Sequence, residues 1–375
     1  MSNVSGLQVK SVGTTWRSLT LREGWTDFVR RNPVPRPDCL TMPQLLELPP
    51  RDRAVYNDAR NMHHANFGPF LTPVMQEIMN DVVDLVADNS ESRVATAKPG
   101  AVIDGYGGLG KTTILTAIGR KIELDARAGF GWNVRTNLGE EFVPVVYLTL
   151  TEGITVKQVN EALATFYGTP VPAKATGEQI GRIFVSHAER CGTRAILIDD
   201  IHNLRLRDTA GKQVNAHLKH LTNILPVTLV AAGIDTDASG LLSEGLAGAR
   251  ITSSQTRRRY TVHRVTPFDI TTEGGRDTWI SLVASVEDEL LLANMEPGML
   301  TSLSPYLHER TQGYIGPLMS LIRRAARRSI RTGTEGIDRN ALDAILLDAG
   351  SEAERPKPVR TRPTRGRPGT RKVSA

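Results

Sequence analysis

The chain has 375 residues, 40% of them apolar and 23% charged, which suits one large or two ordinary domains with a real core. No apolar run approaches the ~20 residues of a membrane helix, and the first residues lack the basic-then-apolar order of a signal peptide, so a cytoplasmic protein with no membrane partner is expected. Two cysteines, Cys39 and Cys191, with no C-x-x-C pair, argue against a disulfide framework or zinc site and read as reduced, structural thiols. The net charge of +6 is uneven: Arg355, Lys357, Arg360, Arg362, Arg365, Arg367, Arg371 and Lys372 carry eight positive charges, and without them the remaining chain stands at −2. That asymmetry points to a polyanionic partner reached by a flexible arm.

In chain order, residues 1–52 hold Trp16, Trp25 and many prolines and read as an irregular arm with one helix-like stretch, LREGWTDFVRR. Helices are expected over 53–66 and 73–88, the second with Val74, Ile78, Val82 and Val86 on one face. A strand follows at 101–104 and a helix at 111–126. Strands are expected again at 143–150, 194–199, 227–232 and 260–265, with helices at 155–167, 177–191 and 214–225 between them. Apolar strands separated by helices imply a parallel sheet covered on both faces. Residues 267–350 read as helices only, at 269–292, 300–311, 315–331 and 339–348. Residues 351–375 are rich in Pro, Arg and Thr and are expected to be disordered. The resulting division is an arm at 1–52, an α/β core at 53–266, a helical unit at 267–350 and a basic tail at 351–375.

Gly105-Tyr106-Gly107-Gly108-Leu109-Gly110-Lys111-Thr112 matches the phosphate loop G-x-x-x-x-G-K-[ST], with Thr113 next on the helix. The glycines let backbone amides turn inward around phosphates. Lys111 reaches the β- and γ-phosphates of ATP, Thr112 offers its hydroxyl to Mg²⁺, and the following helix aims its N-terminus at the anion. A chance match in a glycine-rich loop is the plainer alternative, but an apolar strand before and an amphipathic helix after oppose it. Ile196-Leu-Ile-Asp199-Asp200 ends an apolar strand in two acids: Asp199 is the expected Mg²⁺ ligand and Asp200 the group that orients the attacking water. Many such ATPases carry Glu at the second position, and the shorter Asp suggests hydrolysis that is slow or dependent on assembly or DNA.

Weaker signals follow. Asp235, after the 227–232 strand, is a candidate sensor of the γ-phosphate, though a plain turn explains it better. Arg257, Arg258 and Arg259 precede the last strand, where ring-forming ATPases place an arginine finger; Arg258 and Arg259 lead, and a solvated basic turn is the alternative. In the 315–331 helix, Arg323, Arg324, Arg327, Arg328 and Arg331 share a face, which a solvated stripe explains better than a surface for DNA phosphates or a neighbouring subunit does. Arg365-Gly366-Arg367-Pro368 resembles an AT-hook core, though a generic phosphate-binding tail explains the same residues better. Arg127, Trp132, Arg135, Arg205, Arg207 and Lys212 are candidate DNA contacts. His63, His64 and His202 have no acidic or cysteine partner at ligand spacing and read as structural.

Ile198-Asp-Asp-Ile-His-Asn-Leu204 resembles the I-D-E-I-H-N-L segment of TniB-type transposition ATPases. Arg60-Asn-Met-His63, Gln255–Tyr260 and Thr311-Gln-Gly-Tyr-Ile-Gly316 resemble flanking segments of the same family, over roughly residues 53–347. Asp200 departs from the family's Glu, and 313–317 holds no arginine where many AAA+ proteins carry a second sensor. The resemblance implies an α/β P-loop AAA+ fold with sheet order 5-1-4-3-2 and a C-terminal helical lid. It also implies a homo-oligomer, ring or helical filament, on double-stranded DNA that recruits or activates a transposase, with nucleotide bound between protomers. A replicative helicase loader is the alternative within the superfamily. A signalling or defence NTPase and an ATP-binding scaffold without turnover stand further off.

Overall fold

The computed structural model describes residues 17–94, 96–205, 208–236, 259–353 and 355. Five parallel strands, β1 (Gly100–Asp104), β2 (Val145–Thr149), β3 (Ala195–Asp199), β4 (Thr228–Gly233) and β5 (Tyr260–Arg264), lie in the order β2-β3-β4-β1-β5. Read from the other edge, this is the expected 5-1-4-3-2. Every residue of β3 and β4 is buried, as a central parallel strand covered on both faces requires. Strand β5 is an edge and is only partly covered.

Helix α5 (Lys111–Ala126) follows β1, α6 (Val156–Phe166) and α7 (Gly177–Arg190) follow β2, and α8 (Thr209–Ile224) follows β3. Thr155 with Gln158, and Thr176 with Gln179, form reciprocal capping boxes that start α6 and α7, because each side chain answers an amide the first turn leaves unpaired. Ahead of the sheet stand α1 (Arg22–Arg30), α2 (Met42–Glu47), α3 (Pro50–Asn66) and α4 (Pro73–Glu91). Helix α2 is absent from the sequence expectations, and the segment around it is not loose. Trp25 of α1 is buried on α5, its ring stacked on Tyr147 at 5.8 Å and its Nε1 pointing to Glu123 at 3.4 Å. Gly119 makes room for it: a Cβ there would fall 2.6 Å from the Trp25 ring.

After β5 come α9 (Glu273–Asp288), α10 (Ser304–Thr311), α11 (Ile315–Thr332), α12 (Arg339–Asp343) and α13 (Ala349–Ala353). They gather a second apolar cluster around Trp279, Leu307, Leu318 and Ile322, which also takes in Phe67 from the end of α3. Helix α3 bonds to the segment before it through Arg53 and Tyr56, and to this unit through Arg60 and His63. Arg60 pairs with Glu335 through two bonds of 2.5 Å, both side chains buried, and also donates to the Leu291 carbonyl. His63 lies 2.9 Å from the Glu289 carboxylate, a partner 226 residues away that no local spacing reveals.

The expected helix over 339–348 divides into α12 and, further on, α13. Arg310 clips the break by donating to the Ile345 carbonyl and to Glu352. The disorder expected from 351 does not hold for its first residues. Residues 349–353 are helical, and Arg355 pairs with Asp343 and Glu352. The tail beyond it, with Arg365 and Arg367, lies outside the described residues, as do Trp16, Arg207, Arg257 and Arg258.

Candidate functional site

The loop from Gly105 to Gly110 leaves β1 and enters α5. Its glycines answer specific constraints. A Cβ on Gly105 would sit 2.5 Å from the Val265 carbonyl, and Gly108 and Gly110 hold φ of +79° and +83°, which other residues adopt only under strain. Leu109 turns inward and is buried, anchoring the loop, while Tyr106 is exposed. Gly110 stands at the N-cap of α5 and gives it no side-chain cap. The first amides of that helix are therefore left for an external anion, and nothing stands within 4 Å of where a Cβ on Gly107 would be. This nest fits a polyphosphate.

The Lys111 Nζ donates to the Tyr106 carbonyl at 2.7 Å. Burial pulls its pKa below the ordinary lysine value, against the upward pull of the carboxylates of Asp199, Asp200 and Asp104. Strand order β3-β4-β1 brings the tips that carry these acids to the same end of the sheet as the lysine. The hydroxyl-bearing Thr112 and Thr113 are exposed on the first turn of α5.

Asp199 is buried at the tip of β3, and its Oδ2 accepts from the Tyr147 hydroxyl at 2.9 Å. Its Oδ1 accepts from the Asp200 amide at 2.9 Å. Tyr147 is a site residue the motifs do not reveal; in VPVVYLTL it reads as strand filler. Burial, then the Asp199 charge and bond, push its phenol pKa well up, so it stays a donor. Asp200 follows at φ +55°, a left-handed backbone that turns its side chain out of line with the strand. Asn203 ties the turn down by donating to the Leu150 carbonyl at 2.8 Å. Asp199 and Thr112 are the hard oxygen donors that could hold Mg²⁺. Among the described residues no group of three or more His, Cys, Asp or Glu could hold a metal ion.

The lid reaches this loop through backbone. The Gly316 amide donates to the Gly108 carbonyl at 2.8 Å, and a Cβ on Gly316 would come within 2.9 Å of that oxygen. Pro317 and Tyr314 flank Gly108. The first turn of α11 brings no arginine here, and Arg323 starts about 10 Å further along the helix, at 1.5 Å per residue.

Arg259 is not brought to the phosphate loop of its own chain. Its carbonyl accepts from Gly100 at 2.8 Å and its guanidinium lies 3.4 Å from Asn223. It therefore stands at the start of β1, about 13 Å of strand away from the loop at the other end. Asp235 is exposed in a turn at φ +46°, in keeping with the plainer reading. Of the candidate DNA contacts, Arg127 is a correction. It is buried, bonded to Glu123 and to the Phe142 and Trp132 carbonyls, and stacked on Trp132 at 4.9 Å. It closes the loop after α5 and has no free donor face. Arg30 covers Trp132 at 5.1 Å, Arg135 donates to the Gly139 carbonyl at 2.7 Å, and Arg205 is paired with Glu152. Lys212 is exposed.

No curated protein matches the chain. Among solved structures it resembles the Aeropyrum pernix ORC2 protein in its ADPNP–ADP complexes, with a TM-score of 0.56 and 12% identity over 76% of this chain and 70% of that one. It also resembles the Aeropyrum pernix ORC1 protein in complex with DNA, with a TM-score of 0.53 and 17% identity over 76% of this chain and 66% of that one. At such identities the likeness concerns the fold, which is that of the P-loop AAA+ ATPases. The chain spans about two thirds of the length of these structures. The model of the family described as bacterial TniB protein matches residues 69–265, more than half of the chain and the whole of the sheet up to the end of β5, and the chain belongs to that family.

Proposed function

We propose that the chain binds ATP at Gly105–Thr113, hydrolyses it, and assembles on double-stranded DNA to recruit or activate a transposase in the cytoplasm. The observation that carries the nucleotide reading is the uncapped glycine nest beside the Asp199–Asp200 strand tip. Backbone amides of 107–112 cradle the β- and γ-phosphates, and Lys111 neutralises them. Thr112 and Asp199 would hold Mg²⁺, which supplies charge neutralisation at the phosphates when bound. Tyr147 fixes the Asp199 carboxylate. Asp200 orients the attacking water and accepts its proton.

The place of Arg259 supports a site completed between copies. At the far end of its own sheet it has no reach to the loop of its own protomer, which suits a finger that serves a neighbour's nucleotide. That arrangement supports an oligomer, ring or filament, that forms when ATP is bound. The division into arm, core, lid and tail then assigns generic phosphate contact to the basic tail. Electron microscopy with an ATP analogue and duplex DNA tests the assembly: coated DNA is expected, and naked DNA under conditions where ATP binds refutes it. Capture of a hexameric helicase in place of a transposase would favour the helicase-loader alternative.

A further inference from the structure

Helix α1 stands well ahead of the phosphate loop in the sequence, yet its Trp25 is 1% exposed and belongs to the core that α5 forms with the sheet. Its place is built for a ring. A Cβ on Gly119 of α5 would fall 2.6 Å from the indole and 2.3 Å from Leu197 of β3, so a side chain there would close the slot. The indole Nε1 points to the Glu123 carboxylate at 3.4 Å, and Glu123 is itself held by Arg127 at 2.7 Å. Phe28, on the same helix, tilts against the indole at 5.5 Å. Arg120 of α5 ties down the end of α1 by donating to the Val29 carbonyl at 3.2 Å. The indole is thus fixed from both α1 and α5.

The ring it lies against is Tyr147, with centroids 5.8 Å apart and planes within 14° of parallel. That choice of neighbour sets Trp25 apart from a residue that only fills the core. Tyr147 is the side chain whose hydroxyl donates to the Asp199 Oδ2 at 2.9 Å, and the other carboxylate oxygen rests on the Asp200 amide. A tyrosine on a strand has more than one staggered χ1 open to it, and a change of rotamer carries the hydroxyl out of hydrogen-bond range. A second ring packed flat on the first takes up space that such a turn needs. The contacts therefore run without a gap from α1 to the acid at the tip of β3: indole on phenol ring, phenol hydroxyl on carboxylate.

We propose that Trp25 is a positioning residue of the nucleotide site, and that through Tyr147 it keeps the Asp199 carboxylate turned as Mg²⁺ requires. The inference rests on the nucleotide reading and adds α1, which no motif marks, to the elements that shape the site.

The test measures equilibrium ADP affinity of the full-length protein in EDTA and along a Mg²⁺ titration. It compares wild type, Trp25→Leu, Trp25→Phe, Tyr147→Phe and Trp25→Leu/Tyr147→Phe. Trp25→Leu keeps apolar bulk and removes the ring. It should leave metal-free affinity within about twofold and raise the Mg²⁺ concentration of half-effect by about 2- to 10-fold, the worth of an aromatic pair. Trp25→Phe, which restores a ring, should recover most of that shift. In the Tyr147→Phe background Trp25→Leu should add nothing, since the path to Asp199 is already cut. An unchanged Mg²⁺ requirement in Trp25→Leu, or a shift that persists in full beside Tyr147→Phe, overturns the proposal. A second readout needs no change at Trp25 in the protein observed. In 5-fluorotryptophan-labelled wild type with ADP bound, Mg²⁺ should shift the Trp25 ¹⁹F resonance, assigned by its loss in Trp25→Phe, and the shift should vanish in Tyr147→Phe. A Trp25 resonance that ignores Mg²⁺, or shifts alike in Tyr147→Phe, also overturns it. Wild type that binds no nucleotide refutes the nucleotide reading and this inference with it, whereas wild type that binds Mg²⁺–ADP while Trp25 stays silent refutes this inference alone.

Discussion

Tyr147 shows how a residue outside every motif can govern one inside. Its hydroxyl fixes one oxygen of Asp199, and a hydrogen bond to a charged acceptor is worth about 1.5–3 kcal/mol. Tyr147→Phe keeps the ring against Trp25 and removes only that bond. The expected result is near-normal ATP affinity, with Mg²⁺ dependence of hydrolysis shifted to higher concentration and activity down by about 10-fold. A steady-state titration of Mg²⁺ checks it, and an unchanged Mg²⁺ profile would remove the positioning role. Asp200→Asn makes a different demand: ATP should still bind, while hydrolysis falls by about 10²–10⁴-fold. The loop and the acid pair are legible in the sequence because their chemistry is local, a fixed spacing of glycine, lysine and hydroxyl and a strand ending in acids. Tyr147 is not, since its partner lies 52 residues away. Arg127 misleads for a related reason. It reads as a surface charge in a polar loop, whereas Glu123 one helical turn back and the aromatic rings after it turn it inward.

At the scale of elements, the strands and the main helices follow from periodicity, and α5 begins and ends where its pattern predicts. What periodicity does not carry is the attachment of α3 to the lid, because Arg60 and Glu335 stand 275 residues apart. Breaking a buried pair leaves one charge uncompensated, at a cost of about 3–5 kcal/mol. Arg60→Ala should lose that much stability in chemical denaturation, and Arg60→Ala/Glu335→Ala should lose less than the single variant. His64, on the same helix, adds a pH dependence. Its pKa is lowered to about 3 in the folded protein from an ordinary 6.5. The unfolded chain therefore binds the extra proton between those values. The stabilising contribution is complete above about pH 6.5 and is lost as the pH falls through that window, by up to about 1.4 kcal/mol per unit. Denaturation midpoints of wild type and His64→Gln compared from pH 7 to pH 5 should converge as the pH falls. Parallel curves would mean that His64 is protonated in the folded state.

Across the whole molecule, charge is divided between a body at −2 and a tail that brings the chain to +6. Neutralising phosphates with such a tail releases counterions, so DNA affinity should fall steeply with salt, by a log–log slope of about −0.9 for each phosphate contacted. Deleting 356–375 removes seven positive charges and should flatten that slope while leaving ATP binding as it was. Composition makes this asymmetry plain, but it does not reveal how lid and loop meet. The contact between Gly316 and Gly108 joins two backbones, and a sequence shows side chains. It makes the lid a direct neighbour of the phosphate loop. The reading as a whole rests on the loop holding nucleotide. An equilibrium titration of ATP with Mg²⁺ into wild-type protein and Lys111→Ala tests this most directly: affinity about 10- to 100-fold weaker in the variant is the predicted result, and equal affinity in the two proteins would contradict it.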